Sequence, residues 1–326
     1  MIALKFQTAI RGLLACFALI LFCANAAAQT NAQRSLVLVI GAAGEAEYAE
    51  QFAASADLWK RAGTNGAFQI TVIGESGNGD DDRGALLGAL TNELAASSEE
   101  LWLVFIGHGT YDGRSAKFNL RGPDISAEEL AAALKSCTRP LAVIQCASSS
   151  GPFINALSAP GRVIITATKS GYEENATRFG NYLARDAADP AADLDKDGQT
   201  SLLEAFLLAS RQTEDFYKEA GRLATEHALI DDNGDGLGTP ADFFRGVRAV
   251  KKAADGKTAD GVRAHQMNLV RSANEQELSP SLRARRDELE AQLSALRDRK
   301  SQLPEEDYYS QLEKILVETA KLYQAK

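Results

Sequence analysis

Five stretches of this chain are apolar at nearly every position instead of at alternate ones: SLVLVIG from Ser35, FQITVIG from Phe68, LWLVFIGH from Leu101, LAVIQC from Leu141 and RVIITAT from Arg162. Continuous runs of this length, closed by glycine or a polar residue, predict strands buried on both faces. The intervals between them read as helices. One runs from Ala46 to about Lys60 and turns Tyr48, Phe52 and Leu58 inward. A second opens at Asp80 to Asp82 and carries Leu86, Leu87, Leu90 and Leu94, and a third starts at Ser126 with Glu128 and Glu129 in its first turn. Lys117 to Arg121 reads as a short hairpin arm. Strand and helix alternate, so the expected class is α/β: a mostly parallel sheet in a three-layer sandwich, with its chemistry at the carboxyl ends of strands. His108, Cys146 and Thr168 stand at such ends.

The texture changes after Asp186. An acidic glycine loop (DLDKDGQTSLLE) leads into a helix, and a helical run continues to His227. A second acidic loop (DDNGDGLGTPAD) precedes another helix from Asp242. No strand pattern follows Gly261. Leu282, Leu289, Leu296 and Leu303 recur every seven residues, and after Pro304 the series Tyr308, Leu312, Ile315, Thr319 and Leu322 keeps steps of four and three. Two helices folded back as a hairpin are favoured over a coiled coil with a partner, because Arg286 and Lys300 interrupt the seam a long dimer needs. Self-association or partner binding through these helices is the alternative.

The first residues combine Lys5 and Arg11, an apolar run and Ala26-Ala27-Ala28, the order of a secretory signal cleaved before Gln29; an uncleaved anchor is the competing reading. The expected organisation is therefore 1–28 signal, 29–190 catalytic core, 191–260 acidic-loop subregion completing the core, and 261–326 helical tail. An exported, periplasmic or extracellular protein follows, with no membrane segment in the mature form. Removing the signal leaves 33 basic against 44 acidic side chains, a charge of −11, which argues against nucleic acid as a partner. It also leaves only Cys137 and Cys146. These flank one strand, so their Cα atoms should lie beyond the roughly 7 Å a disulfide permits, and Cys146 is expected to be a free thiol.

A thiol becomes an effective nucleophile as a thiolate, and an imidazole beside it can take the proton and later return it to a departing amine. His108 and Cys146, ending neighbouring strands, are the candidate pair. Gly109, with no side chain to hold a substrate away, and the Cys146 amide are the candidate oxyanion donors. The order of apolar strand, His-Gly, about forty residues, apolar strand and Cys resembles the clan of caspases, gingipains, separase and legumain, and most of all the legumain-like cysteine peptidases. VFIGHGTYDG is similar to the His-Gly-Ser-Thr-Gly turn of that family, and VIQCASSSGPF to its Glu-Ala-Cys-Glu-Ser-Gly loop. IITATKSGYEENATRFG is more weakly similar to its substrate loop. The resemblance covers roughly Ser35 to Asp186 and implies a Cys146/His108 dyad, a thioester intermediate and a protein or peptide substrate. Two departures stand out. Ile144-Gln145 precede the cysteine in place of an acidic or amide residue and Ala, and Tyr48 is followed by Ala49 and Glu50 where the family carries a specificity arginine. Glu50, Glu173 and Glu174, with Thr168, are instead the candidate substrate-pocket residues, and they favour a basic P1 side chain. A transpeptidase would use the same dyad, and a non-catalytic binding module is the second class.

The first acidic loop places Asp193, Asp195, Asp197, Ser201 and Glu204 at positions 1, 3, 5, 9 and 12 of an EF-hand loop, with Gly198 at the turn and Gln199 offering its carbonyl. The second fits the register less well: Asp231, Asn233, Asp235, Leu237 through its carbonyl, Thr239 at position 9, and Asp242 at position 12 beyond Pro240. Structural calcium is the expected ligand, and no organic cofactor is expected.

Overall fold

The computed structural model describes residues 33–75, 81–97, 99–252, 254 and 258–324. The expected signal segment lies outside the described residues, as does Asp80. Among the described residues no helix is long and apolar enough to cross a membrane.

The continuous apolar runs form the centre of a seven-stranded sheet. Strand β1 is Ser35–Ile40, β2 Gln69–Ile73, β3 Leu101–Ile106, β7 Leu141–Gln145 and β8 Arg162–Thr166. These five run parallel, in the order β8-β7-β3-β1-β2. They read as unbroken apolar runs because each face is covered. Along β1, Leu36 and Leu38 enter one core layer while Val37 and Val39 enter the other, all four fully buried. The first layer is roofed by α1 (Ala46–Asn65), α5 (Phe179–Asp186) and α6 (Leu202–Glu219), which supply Phe52, Trp59, Phe179 and Phe206. The second is roofed by α2 (Asp82–Ala96), α3 (Ala127–Ala133) and α4 (Pro152–Leu157), which supply Leu86, Leu90, Leu130 and Phe153. A capping box at Ser126 and Glu129 starts α3. The hairpin arm is a three-stranded sheet, β4 (Gly109–Tyr111), β5 (Ala116–Phe118) and β6 (Ile125–Ser126), which leaves the main sheet directly after His108.

Two expectations from the acidic region are corrected. The helix before the second loop stops at Glu219 and does not reach His227; Leu229–Asp231 forms β9, antiparallel to β8, and Thr239–Pro240 forms β10 beside it. Pro240 is tolerated there because β10 is the edge strand. In place of a helix from Asp242 there is one 3₁₀ turn, Ala241–Phe243, followed by the small hairpin β11 (Phe244–Arg245) and β12 (Arg248–Ala249).

Beyond it lie α7 (Val262–Gln266), α8 (Ala273–Glu277), α9 (Pro280–Asp298) and α10 (Glu305–Gln324). The last two fold back on each other, with Leu282 and Leu289 against Ile315 and Leu322 and an ion pair from Arg285 to Glu318 at 2.5 Å. Arg286, which interrupts the seam, is buried and bridges Glu275 of α8 at 2.6 Å and Asp287 at 2.8 Å, so it fastens the hairpin to the body. That fastening lies at the amino ends of the strands. Arg34, just before β1, donates to the carbonyls of Asn268 and Leu269, and Glu100, just before β3, pairs with Arg34 and Arg271.

Candidate active site and acidic loops

Neighbouring parallel strands deliver the two candidate catalytic side chains to one edge. Phe105 of β3 stands beside Gln145 of β7 in the ladder, and the chain then continues to His108 on one strand and Cys146 on the other. Both line a narrow cleft shared with Tyr48, Phe52, Thr177 and Gly180. Its free volume is only about 20 Å³, room for a single water. The His108 ring stands edge-on to Tyr48 at 4.5 Å and to Phe52 at 5.1 Å between ring centres, which fixes its plane against α1.

Cys146 is a free thiol, 5% exposed. The first turn of α5 lies directly on it: a Cβ at Gly180 would stand 2.9 Å from Sγ, so only glycine leaves the sulfur its space. Thr177 Oγ1 donates to the Cys146 carbonyl from the same segment. Burial pushes the thiol up to about 12, with the Glu226 carboxylate adding to it. Among the described residues no hydrogen bond from His108 offsets this. Glu226 is itself buried, accepts from the amides of Arg178 and Phe179 at 2.9 and 3.0 Å and from the Tyr217 hydroxyl at 3.0 Å, and is raised by desolvation.

The candidate oxyanion donors are both engaged. The Gly109 amide donates to Ser148 Oγ at 3.2 Å, and that hydroxyl donates back to the Gly109 carbonyl at 3.0 Å. Gly109 is required by close packing, since a Cβ would stand 2.3 Å from the Ser148 carbonyl oxygen. The Cys146 amide donates to the Phe105 carbonyl at 3.0 Å, as the last rung of the β3–β7 ladder. Gln145, on the opposite face of that strand, is fully buried, and neither end of its amide has a partner among the described residues.

None of the four candidate pocket residues lines this cleft. Thr168 is fully buried and braces the loop after the cysteine: its Oγ1 accepts from the Gly151 amide at 3.0 Å and meets Ser150 Oγ at 3.1 Å. Glu173 closes its own loop, accepting from the Lys169 amide at 2.9 Å and meeting His227 Nδ1 at 2.5 Å. Glu50 and Glu174 point to solvent. The buried carboxylate near the thiol is Glu226, which no pattern in the sequence singles out.

The two acidic loops share one hydrogen-bonding plan. In the first, Asp193 accepts from the amides of Lys196 and Gly198 at 2.6 and 3.1 Å, Asp195 from Asp197 at 3.3 Å, and Asp197 from Gln199 at 3.0 Å. In the second, Asp231 accepts from Gly234 and Gly236 at 3.0 and 2.9 Å, Asn233 from Asp235 at 2.8 Å, and Asp235 from Leu237 at 2.8 Å. The sixth residue of each loop, Gly198 or Gly236, has positive φ (93° and 75°), the conformation glycine adopts without cost.

They are closed differently. Glu204 follows the first loop on α6 and accepts from the amides of Leu194 and Asp195 at 2.7 and 3.3 Å through one oxygen, and from the Ser201 amide and hydroxyl at 2.8 and 2.7 Å through the other. In the second loop Asp242 is exposed on the 3₁₀ turn, and the same role falls to Asp260. Asp260 accepts from the amides of Asp232 and Asn233 at 2.9 and 3.1 Å through one oxygen and from Thr239 Oγ1 at 2.5 Å through the other. Burial pushes Asp260 up to about 7, the charges of Asp232 and Asp231 adding to it. The Asp242 assignment is thus corrected: a proline-containing edge strand intervenes, so the next residues in sequence turn away from the loop. Carboxylate oxygens of Asp193, Asp195 and Asp197 lie within 4.8 Å of one another, as do ligand atoms of Asp195, Glu204 and His265. In the second loop one buried oxygen of Asp235 has no partner among the described residues. Gln199 and Leu237 sit at the positions that would offer carbonyls, and Ser201 and Thr239 serve the closing carboxylates.

No family model matches the chain, and no curated protein matches it at the level of sequence. Similar solved structures include protein GSU0716 from Geobacter sulfurreducens, at 12% identity over 61% of this chain and 92% of that one, with a TM-score of 0.41. The Drosophila initiator caspase Dronc is similar at 14% identity over 61% of this chain and 79% of its own, with a TM-score of 0.38. Both are likenesses of fold, at the α/β level described above.

Proposed function

We propose that the chain is an exported cysteine endopeptidase whose resting site is closed. The observation that carries this reading is the delivery of His108 and Cys146 by adjacent parallel strands into one cleft. In the proposed reaction Cys146 Sγ attacks the scissile carbonyl carbon while its proton passes to His108, and the carbonyl π pair moves to the oxygen. Collapse breaks the C–N bond and His108 protonates the departing amine; water then attacks the thioester carbon as His108 takes its proton, the C–S bond breaks, and that proton returns to Cys146 Sγ. Substrate must first part Gly180 from the sulfur and displace Ser148 from the Gly109 amide, which frees that amide for the oxyanion. A transpeptidase differs only in using an amine in place of water.

The acidic loops are proposed as structural calcium sites: Asp193, Asp195, Asp197 and Glu204 in the first, and Asp231, Asn233, Asp235 and Asp260 in the second. Their donors are all oxygens, as a hard cation requires. Calcium would stiffen the connection of α6 and β9 to the sheet and take no part in the chemistry.

A second reading, a non-catalytic module of peptidase-like fold, is favoured by the engaged amides and the raised thiol. An acyloxymethyl ketone probe separates the two. Labelling lost in Cys146→Ala and reduced by about 10² to 10⁴-fold in His108→Ala supports the peptidase. Undiminished labelling of the His108 variant would leave an isolated thiol and remove the dyad.

A further inference from the structure

The hairpin buries only one side of its last helix. Tyr308, Ile315 and Leu322 of α10 turn toward α9 and the body, while a second apolar stripe, offset by about a third of a turn, faces outward. Tyr309 is 50% exposed, Leu316 48% and Val317 44%, and with Leu312 and Ala320 they line a shallow groove of about 490 Å³. Large apolar side chains rarely stand exposed as a contiguous stripe unless something covers it.

The charges along α10 say what the cover is. Its first turn carries Glu305, Glu306 and Asp307, Glu313 and Lys314 adjoin at its middle, and its second half carries Lys321. The acid of that second half, Glu318, is ion-paired to Arg285 of α9. The helix is therefore negative at its start and positive toward its end. A second copy laid antiparallel, with a two-fold axis crossing near Glu313 to Leu316, would set the acidic first turn of each helix beside Lys321 of the other and close Tyr309 of one over Ala320 of its partner. A parallel arrangement would place like ends together. Two-fold self-complementarity of this kind is what an isologous interface needs.

We propose that the outward stripe of α10 is the interface of an antiparallel homodimer. The hairpin then serves two contacts at once: its inner seam docks it to its own body, and its outer stripe docks it to a second copy. Since the hairpin is fastened at the amino ends of the strands, both clefts of the dimer lie away from the interface.

Sedimentation velocity on the full chain across the micromolar range tests this. A dimer is expected, and Leu316→Glu with Val317→Glu should weaken it by about 100-fold or more, with the helical circular dichroism and melting temperature retained. Reversing the acidic end (Glu305→Lys, Glu306→Lys) should weaken association about tenfold, and adding Lys321→Glu in the same chain should restore it in part. A monomeric wild-type chain overturns the proposal, including one that floats with anionic vesicles, which would make the stripe a lipid-binding face. A dimer that survives the Leu316 and Val317 substitutions places the interface elsewhere, and charge reversal without effect overturns the antiparallel arrangement.

Discussion

The reactive edge and the acidic loops are both built from polar groups around a small space, yet they are poised in opposite ways. At the cleft every donor the reaction would need is already spent inside the protein: Gly109 on Ser148, the Cys146 amide on Phe105, and the sulfur under Gly180. In the loops the backbone amides hold the carboxylates in a fixed arrangement, and in the first loop oxygens of Asp193, Asp195 and Asp197 already lie within 4.8 Å of one another. The difference teaches where each function would draw its free energy. A ligand at the loops finds its donors in place, whereas a substrate at the cleft must exchange existing hydrogen bonds for new ones, so its affinity is reduced by the cost of opening.

The sharpest way to break this comparison is to remove a closing carboxylate. Glu204→Ala strips acceptors from three amides and a hydroxyl, and an equilibrium urea titration should show a loss of about 3–5 kcal/mol. A loss below about 1 kcal/mol would mean that the loop is not preorganised. Chelation with EGTA should likewise lower the melting temperature, and an unchanged transition would count against calcium.

Next is the state of the thiol. A raised pKa favours the neutral form, so alkylation of the resting protein by iodoacetamide should be slow at neutral pH and climb about tenfold per unit through pH 9 without levelling. A plateau at or below neutrality would reveal a preformed thiolate–imidazolium pair and a cleft as poised as the loops. The second loop supplies a smaller contrast: Asp260→Asn should cost about 1–3 kcal/mol and Asp242→Asn less than about 0.5. The reverse order would restore the closing role to Asp242. The smallest effect is expected at Ser148. Ser148→Ala frees the Gly109 amide and should raise the rate of acyloxymethyl ketone labelling about two- to fivefold, and a fall would show that the hydroxyl supports the site.

What was legible in the sequence follows from how locally each feature is encoded. The central strands were readable because burial on both faces leaves an unbroken apolar run, and the first acidic loop because twelve consecutive residues contain the whole pattern, including Glu204. That the strands leading to His108 and Cys146 are parallel neighbours needed only the rule that successive strands of an alternating chain pair in this way. The remainder is tertiary. β9 is three residues of LID, too short to betray a period. Asp260 reaches its loop across the hairpin of β11 and β12, and no spacing rule spans that gap. Glu50, Glu173 and Glu174 were chosen by charge alone, yet the carboxylate beside the thiol is Glu226, on the connection after α6. Whether an amide is available cannot be read from a glycine: Gly109 looked open for substrate and proved to be open for Ser148.

The network of Arg34, Glu100 and Arg271 fixes the tail to the face opposite the cleft, a strand's length of about 20 Å away. A partner or surface that takes hold of the tail would leave His108 and Cys146 facing away from it.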